Sequence, residues 1–307
     1  MRLLRGLAGL RAPAKSSVVT IGSFDGLHLG HQALIARLAE LAAAAGSPAV
    51  VLTFEPLPRE YLQAEDPPAR LTSLRERWRI LERLPVDYLC LLRFGEALRN
   101  LSPGDFAQLL AHTLRARSVV VGHDFRFGHK GAATASVLAE AGRMLGFGVE
   151  VIEPITVAGE RVSSSGVRAA LAQGEFAQAA HSLGRAWSMR GRVIPGRRLG
   201  RTLGFPTANL PLKRRRAPVA GVFAVRVHGA GAAVHPGVAS LGTRPTVAGR
   251  EWLLEAHLFD FTGDLYGREL EVEFVAKLRD EARFESLEDL TAQMQLDAAQ
   301  ARGILGN

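Results

Sequence analysis

One cysteine in 307 residues excludes two classes of protein at once. A single thiol can neither close an internal disulfide nor supply a cysteine-rich zinc site. Cys90 stands in the apolar run "YLCLL", where a small buried thiol is expected, and the cytoplasm is the default compartment. Long uncharged apolar runs are missing as well. The candidate "AELAAAAGSPAVVLTF" is split by Gly46, Ser47 and Pro48, so no segment suits a bilayer. The opening "MRLLRGLAGLRAPAK" looks briefly like a leader, but Arg5 and Arg11 break it and no small-residue cleavage pattern follows; it is expected to be part of the folded chain. Acid is in deficit, with 30 Asp and Glu against 38 Lys and Arg for a net charge of +8. Such a balance favours polyanions without choosing among nucleotides, nucleic acids and membrane surfaces. The densest basic run, "KRRRAP" from Lys213 to Pro218, has no interleaved aromatics, and is expected to be a solvated loop before it is a nucleic-acid contact.

The length suits two domains. From Val18 to about Ile155, apolar strand-like runs ("SVVTIG", "AVVLTF", "VDYLCLLRF", "SVVVG", "GVEVIEPI") alternate with helix-like segments. Nearly continuous apolar strands require a parallel sheet covered on both faces, the pattern of a doubly wound α/β domain. From Met189 the pattern changes to short strands such as "MRGRVI", "GVFAVRV", "LLEAHLF" and "ELEVEFV", separated by Gly/Pro turns. These predict an antiparallel sheet or barrel. A closing helix follows, with Ser286 as N-cap and Glu288 and Asp289 in its first turn. The expected division is 1–185 and 186–307.

The stretch "GSFDGLHLGH" follows the first apolar run and enters an Ala/Leu-rich helical pattern. A strand-to-helix junction offers unpaired backbone N–H groups and the positive end of the helix dipole to an anion. His28 and His31 are then placed to hydrogen-bond phosphate oxygens, with Ser23 and the backbone, while Asp25 fixes the turn. The same residues also suit satisfied polar groups in a turn, and a structural zinc would need more ligands than are nearby. Two further segments fit one site: "VGHDFRFGHKG", with Asp124, and "ERVSSSGVRAAL", which places Ser164 or Ser165 at a helix N-cap with Arg161 before it and Arg168 one turn in. Hydroxyls, amides and guanidinium groups together suit a triphosphate.

In the second half, "GRVIPGRRLGRTLGFPTANL" carries Gly196, Gly200 and Gly204 among Arg197, Arg198 and Arg201. Glycines admit phosphate close to the backbone, though this is no Walker loop. In "FPTAN", Thr207 and Asn209 alternate with Pro206 and Ala208, so two polar oxygens face one way, as a Mg²⁺ that keeps waters and phosphate oxygens would need. In "LLEAHLF", Glu255 faces away from Leu254 and Ala256; on surface statistics alone it reads as a solvated acid.

Taken in order, "GSFDGLHLGHQ", "TFEPLPRE", "GHDFRFG" and "RVSSSGVRAAL" resemble the adenylyltransferase module of bacterial bifunctional riboflavin kinase/FAD synthetases. The later segments "GRTLGFPTANL", "GVASLGTRPTV", "EAHLFDFTGDLYGRELEV" and "KLRDEARFESLEDLTAQMQLDAAQAR" resemble the flavokinase module of the same enzymes. The resemblance implies a Rossmann-like nucleotidylyltransferase domain followed by an antiparallel flavokinase barrel. His28 and His31 would contact ATP phosphates while FMN attacks the α-phosphorus. Gly22, Ser23, Phe24, Asp25, Gly30, Arg161, Ser164, Ser165 and Arg168 would bind that ATP, and Phe54, Asp124 and Phe127 the flavin. In the kinase, Gly196, Gly200, Arg201, Gly204, Pro206, Thr207 and Asn209 would bind ATP, Thr207 and Asn209 the Mg²⁺, and Glu255 would take the proton of the riboflavin 5′-hydroxyl. Leu57, Ala132 and Ser240 depart from the family pattern. The implied partners are ATP, riboflavin, FMN and FAD, with no nucleic acid, membrane or obligate protein partner, in the cytoplasm. Two rivals remain open: a nucleotidylyltransferase acting on another phosphate ester, and a basic nucleic-acid-binding protein.

Overall fold

The computed structural model describes residues 1–6, 16–196, 199–246 and 249–306, without the side chains of 199, 201, 245, 246, 249 and 250. The chain forms two compact units: residues 1–68 with 77–163, and residues 69–76 with 164–307.

In the first unit, β1 (Arg2–Arg5), β2 (Ser17–Ile21), β3 (Ala49–Glu55), β4 (Tyr88–Arg93), β5 (Ala116–Gly122) and β6 (Gly148–Ile152) form one sheet in the order β1-β4-β3-β2-β5-β6. Every neighbouring pair runs parallel. The edge strand β1 is additional to the expected series. Alternation divides each strand between two cores. Val19, Ile21, Val50, Leu52 and Val119 pack on one face with Phe106, Leu110 and Leu138, while Val18, Val51, Leu89 and Val120 pack on the other with Ile35, Leu38 and Leu81. With β2 buried along its whole length, its two hydroxyls must find acceptors: Ser17 Oγ donates to Leu114 O at 2.5 Å and Thr20 Oγ1 to Val120 O at 2.8 Å. Helices connect the strands: α1 (Leu29–Ala44), α2 (Leu74–Leu81), α3 (Pro103–Gln108) and α4 (Ala135–Leu145). The helical segment "PGDFAQLLAHTL" loosens after Gln108 into a single π turn, Leu109–Thr113. Because β2 is flanked by β3 and β5, the chain reverses its winding direction between β2 and β5, and the crevice beyond their carboxyl ends is where such sheets bind ligands.

The second unit begins with α5 (Ser164–Ala172) and α6 (Phe176–Leu183), followed by β7 (Ser188–Arg192), β8 (Ala208–Leu212), β9 (Gly221–His228), β10 (His235–Thr246), β11 (Gly249–Leu258) and β12 (Glu269–Arg279). Their order is β7-β12-β9-β10-β11-β8, all antiparallel. An isolated bridge between Ile194 and Asn209 joins the two edges and nearly closes a barrel. Gly191 permits that seam, since a Cβ there would lie 2.9 Å from Leu210 Cβ. The interior holds Leu210, Phe223, Val225, Leu241, Leu254 and Phe274. Outside it, α7 (Leu287–Leu305) packs Ala301 against Ala224 and Phe259. Ser286 caps α7 as expected, accepting from Asp289 N–H at 3.0 Å.

Among its charged residues the basic run departs from a solvated loop at one position. Arg214 is buried, pairs with Glu76 at 2.5 Å and donates to the carbonyls of Arg70 and Leu71. A guanidinium can be buried only where its charge and its donors are satisfied, and the carbonyls of residues 70 and 71 do this. Cys90 is fully buried, and burial pushes its thiol up to about 12.

Candidate functional site

At the end of β2, Gly22 N–H donates to Leu52 O at 3.1 Å, and the chain leaves the sheet. Phe24 and Leu27 adopt positive φ angles of 49° and 47°. Left-handed backbone costs a non-glycine residue about 1 kcal/mol or more, and here both side chains are wholly buried in the core beneath the turn, which offsets that cost. Ser23 O is gripped from outside the turn by Arg77, a fully buried guanidinium that donates to it at 3.0 Å, to Thr53 Oγ1 at 3.1 Å and to Glu55 Oε2 at 2.6 Å. Arg77 thereby ties the turn after β2 to the end of β3. Sequence analysis missed it, since nothing distinguishes one arginine among several in "SLRERWRILERL". Asp25 is buried within the turn at 2% exposure.

His28 is the N-cap of α1, and its Nδ1 accepts from the His31 N–H at 3.4 Å. The two imidazoles stack with centroids 3.7 Å apart and planes 19° from parallel. Gly30 makes this possible: a Cβ there would stand 3.2 Å from the His28 ring. Burial, reinforced by the neighbouring His28, holds the His31 pKa well below the ordinary imidazole value, so the ring is neutral at pH 7. Its Nδ1 is buried and makes no hydrogen bond to the described residues. A neutral imidazole with a spare polar atom, at the positive end of a 16-residue helix, is suited to an anion.

The other predicted residues divide between the two units. Asp124, in the turn after β5, and Arg161, in a two-residue strand paired with Thr156–Val157, form an exposed ion pair at 2.8 Å. Phe54 is buried edge-on to Phe94, and Phe127 stacks on Phe125 at 5.5 Å. Leu57 is buried at 4% exposure. Ser164, Ser165 and Arg168 belong to the second unit, where α5 starts at Ser164 and Arg168 Nε donates to Ala69 O at 2.5 Å.

In that unit, strand register builds the second site. Asn209 of β8 stands opposite Glu255 of β11, Glu255 opposite Ser240 of β10, Ser240 opposite Val222 of β9, and Val222 opposite Arg279 of β12. Residues directly opposite share a face, so the row crosses five strands on the face away from the barrel interior. Glu255, Ser240 and Arg279 line a cavity of about 280 Å³ against α7, together with Thr207 and Glu281. Glu255 is pushed above the usual carboxylate range, chiefly by burial, with Arg244 opposing and Glu281 reinforcing. Arg279, to which sequence analysis gave no role, binds Asp297 of α7 through Nε–Oδ1 at 2.9 Å and Nη2–Oδ2 at 2.7 Å, and so fixes the helix over the cavity.

The glycine-rich segment folds onto the same side. Leu203 and Phe205 N–H groups both donate to Gly200 O, at 3.2 and 2.7 Å, while Gly204 takes a φ of +82°. Gly196 lies against the Asn209 amide, where a Cβ would stand 2.6 Å from its atoms. His257 Nδ1 donates to Pro206 O at 2.9 Å and pins the "FPTAN" strand. Arg197 and Arg198 lie outside the described residues, as does the side chain of Arg201.

A parallel α/β unit with an anion-seeking histidine turn, joined to a barrel with a half-buried carboxylate, defines a transferase of phosphate groups. Residues 10–166 match the FAD synthetase family and residues 183–305 the riboflavin kinase family. A bifunctional riboflavin kinase/FMN adenylyltransferase of Escherichia coli strain K12 is 44% identical, covering 100% of this chain and 98% of that protein. One from Pseudomonas fluorescens is 46% identical, covering 99% and 98%. A crystal structure from Streptococcus pneumoniae, described as a macrolide-efflux protein, matches with 30% identity and a TM-score of 0.81, covering 98% of this chain and 99% of that one; no described helix here is long and apolar enough to cross a membrane. The chain belongs to the bifunctional riboflavin kinase/FMN adenylyltransferase family.

Proposed function

We infer that this chain makes FAD from riboflavin in two steps, each with its own ATP. The 185 residues at the start carry FMN adenylyltransferase and residues 186–307 riboflavin kinase. In the kinase, Glu255 takes the proton from the riboflavin 5′-hydroxyl as that oxygen attacks the γ-phosphorus and ADP leaves, giving FMN. A carboxylate with a raised pKa suits the task, because a general base works best when its pKa approaches the working pH. The Gly196–Gly204 segment, with Pro206, accommodates the ATP phosphates. Thr207 and Asn209 would hold magnesium: Asn209 spends its NH₂ on Thr207 O at 3.3 Å, which leaves its amide oxygen for a hard cation. Two neutral oxygens are too few to hold the ion alone, so it arrives with ATP and supplies charge neutralisation on the phosphates.

In the adenylyltransferase, a phosphate oxygen of FMN attacks the α-phosphorus of the second ATP, and pyrophosphate leaves. Alignment and charge stabilisation are the main requirements of such a transfer. His28, His31 and the N-terminal amides of α1 meet the phosphates, with Gly22, Ser23, Phe24, Asp25 and Gly30 shaping the turn. Arg161 adds a guanidinium to the triphosphate contacts, and Phe54, Asp124 and Phe127 receive the flavin. The enzyme works in the cytoplasm, on small molecules.

The observation that carries this reading is the cross-strand row that sets Glu255 opposite Asn209 and Ser240, with Glu255 and Ser240 lining a cavity. Incubation with riboflavin, magnesium and ATP, followed by chromatography, is expected to show FMN appearing before FAD. Turnover of FMN to FAD with no phosphorylation of riboflavin would support a nucleotidylyltransferase with an accessory barrel instead.

A further inference from the structure

His257 has no part in the reactions as described. It lies on β11 two residues after Glu255, on the same side of the strand, and lines the same cavity with Gly200, Phe205 and Thr207. The ladder between β8 and β11 stops just short of it. Ala208 opposite Ala256 is the pair at that end, and continuing the register would set Thr207 opposite His257. Pro206, next along, has no N–H with which to extend a ladder. Its carbonyl accepts instead from a side chain, His257 Nδ1, at 2.9 Å. Because a carbonyl only accepts, the bond requires a proton on Nδ1.

The imidazole is held from both sides. Phe205 meets it edge-on with centroids 5.1 Å apart, and Phe259, one residue past β11, does so at 5.8 Å. Phe259 is itself covered by the Arg302 guanidinium of α7, 4.3 Å from its centroid. Such contacts set the plane of a ring, so Nδ1–H is aimed at the carbonyl. The segment that receives it is tied elsewhere too. Phe205 N–H donates to Gly200 O at 2.7 Å, and residue 200 lies so close that a Cβ there would stand 2.3 Å from Phe205 O and 3.6 Å from Thr207 Oγ1. On the far side, Asn209 Nδ2 donates to Thr207 O at 3.3 Å. Among these ties, the imidazole is the one that reaches across to β11, the strand that carries Glu255.

On the reading that Thr207 and Asn209 meet ATP, we propose that His257 is a positioning residue of the kinase. Its Nδ1–H clamps the Pro206 carbonyl to β11 and so fixes Thr207, the next residue, relative to Glu255, two residues back along the strand. His257 itself touches no reacting atom. With the clamp in place ATP meets an ordered segment, whereas without it part of the binding energy goes into ordering that segment.

The test uses the full-length enzyme. KM for ATP is measured in riboflavin phosphorylation at saturating riboflavin and magnesium, and hydrogen exchange of the peptide spanning residues 200–210, without ligands, gives a readout independent of turnover. His257→Leu is expected to raise KM for ATP about tenfold, to leave KM for riboflavin near its original value, and to speed exchange at the Phe205 amide about tenfold. His257→Asn, whose amide nitrogen stands where Nδ1 stood, is expected to recover most of both effects. His257→Gln, whose amide nitrogen reaches the Nε2 position, is expected to recover neither. Should His257→Leu fail to fold, the contrast between Asn and Gln decides. Recovery by Gln and not by Asn, or a rise in KM confined to riboflavin, overturns the proposal and makes His257 a substrate contact; exchange that stays at the wild-type rate overturns it too. A Thr207→Val enzyme with the wild-type KM for ATP would be a different failure, removing the reading of this segment as ATP-binding and the proposal with it.

Discussion

Burial moves Glu255 and His31 away from their ordinary protonation in opposite directions, the carboxyl upwards and the imidazole downwards. Each neutral form is favoured because charge is costly away from water. Glu255→Gln is expected to lower FMN formation by about 10²- to 10⁴-fold, while FMN supplied directly is still converted to FAD; chromatography of both reactions checks this. For His31 the linkage sign is set by its lowered folded pKa. Below about pH 6.5 the unfolded chain binds a proton that the folded chain refuses. Stability therefore falls as pH drops below that value, by at most about 1.4 kcal/mol per pH unit, and denaturant titrations at pH 5 and 7.5 should show a smaller difference in His31→Gln than in the wild type. Arg77 acts differently. Arg77→Met leaves the Glu55 carboxylate, Thr53 hydroxyl and Ser23 carbonyl without their shared donor, and should cost about 3 kcal/mol in unfolding free energy as well as weakening adenylylation.

At the level of the elements, the first turn of α1 sets two requirements against each other. Alanine is favoured over glycine inside a helix by about 1 kcal/mol, yet a Cβ at Gly30 would press on the His28 ring from 3.2 Å. Gly30→Ala is therefore expected to melt no earlier than the wild type while FAD formation from FMN falls, a split that differential scanning calorimetry and a coupled assay would separate. The helices of the first unit were legible from the 3.6-residue period of their apolar residues, and its parallel strands from nearly continuous apolar runs. The π turn after Gln108 was not, since a helix that widens by one residue keeps its apolar stripe. Strand β1 escaped for another reason: four residues with an arginine at each end carry too little pattern to announce an edge. In the barrel, "FPTAN" showed its alternation, but the strand it enters, β8, is defined by its pairing with β11, which no local signal records.

Across the whole molecule, the division into two compact units predicts that the two chemistries fail separately. His28→Ala combined with His31→Ala should let FMN accumulate without FAD, the converse of Glu255→Gln. Loss of both activities in either variant, with folding intact by circular dichroism, would contradict separate sites. The same division gave residues 69–76 to the unit that contains the barrel, where Glu76 meets the buried Arg214 and Trp187 donates to Leu71 O at 3.3 Å. That assignment was hidden in the sequence, because a short polar segment carries no mark of the distant partner it will find.

From the order of residues alone came the parallel α/β series, the change to short strands near Met189, the Ser286 cap, the histidine pair at a strand-to-helix turn and the family resemblance. All are local patterns or ordered motifs, which a chain displays before it folds. Folding decided what depends on residues far apart in the chain: the stacking and neutrality of His31, the burial of Arg77 and Arg214, and the row from Asn209 to Arg279. Each of these arises from burial or from cross-strand register, and both are properties of the packed whole.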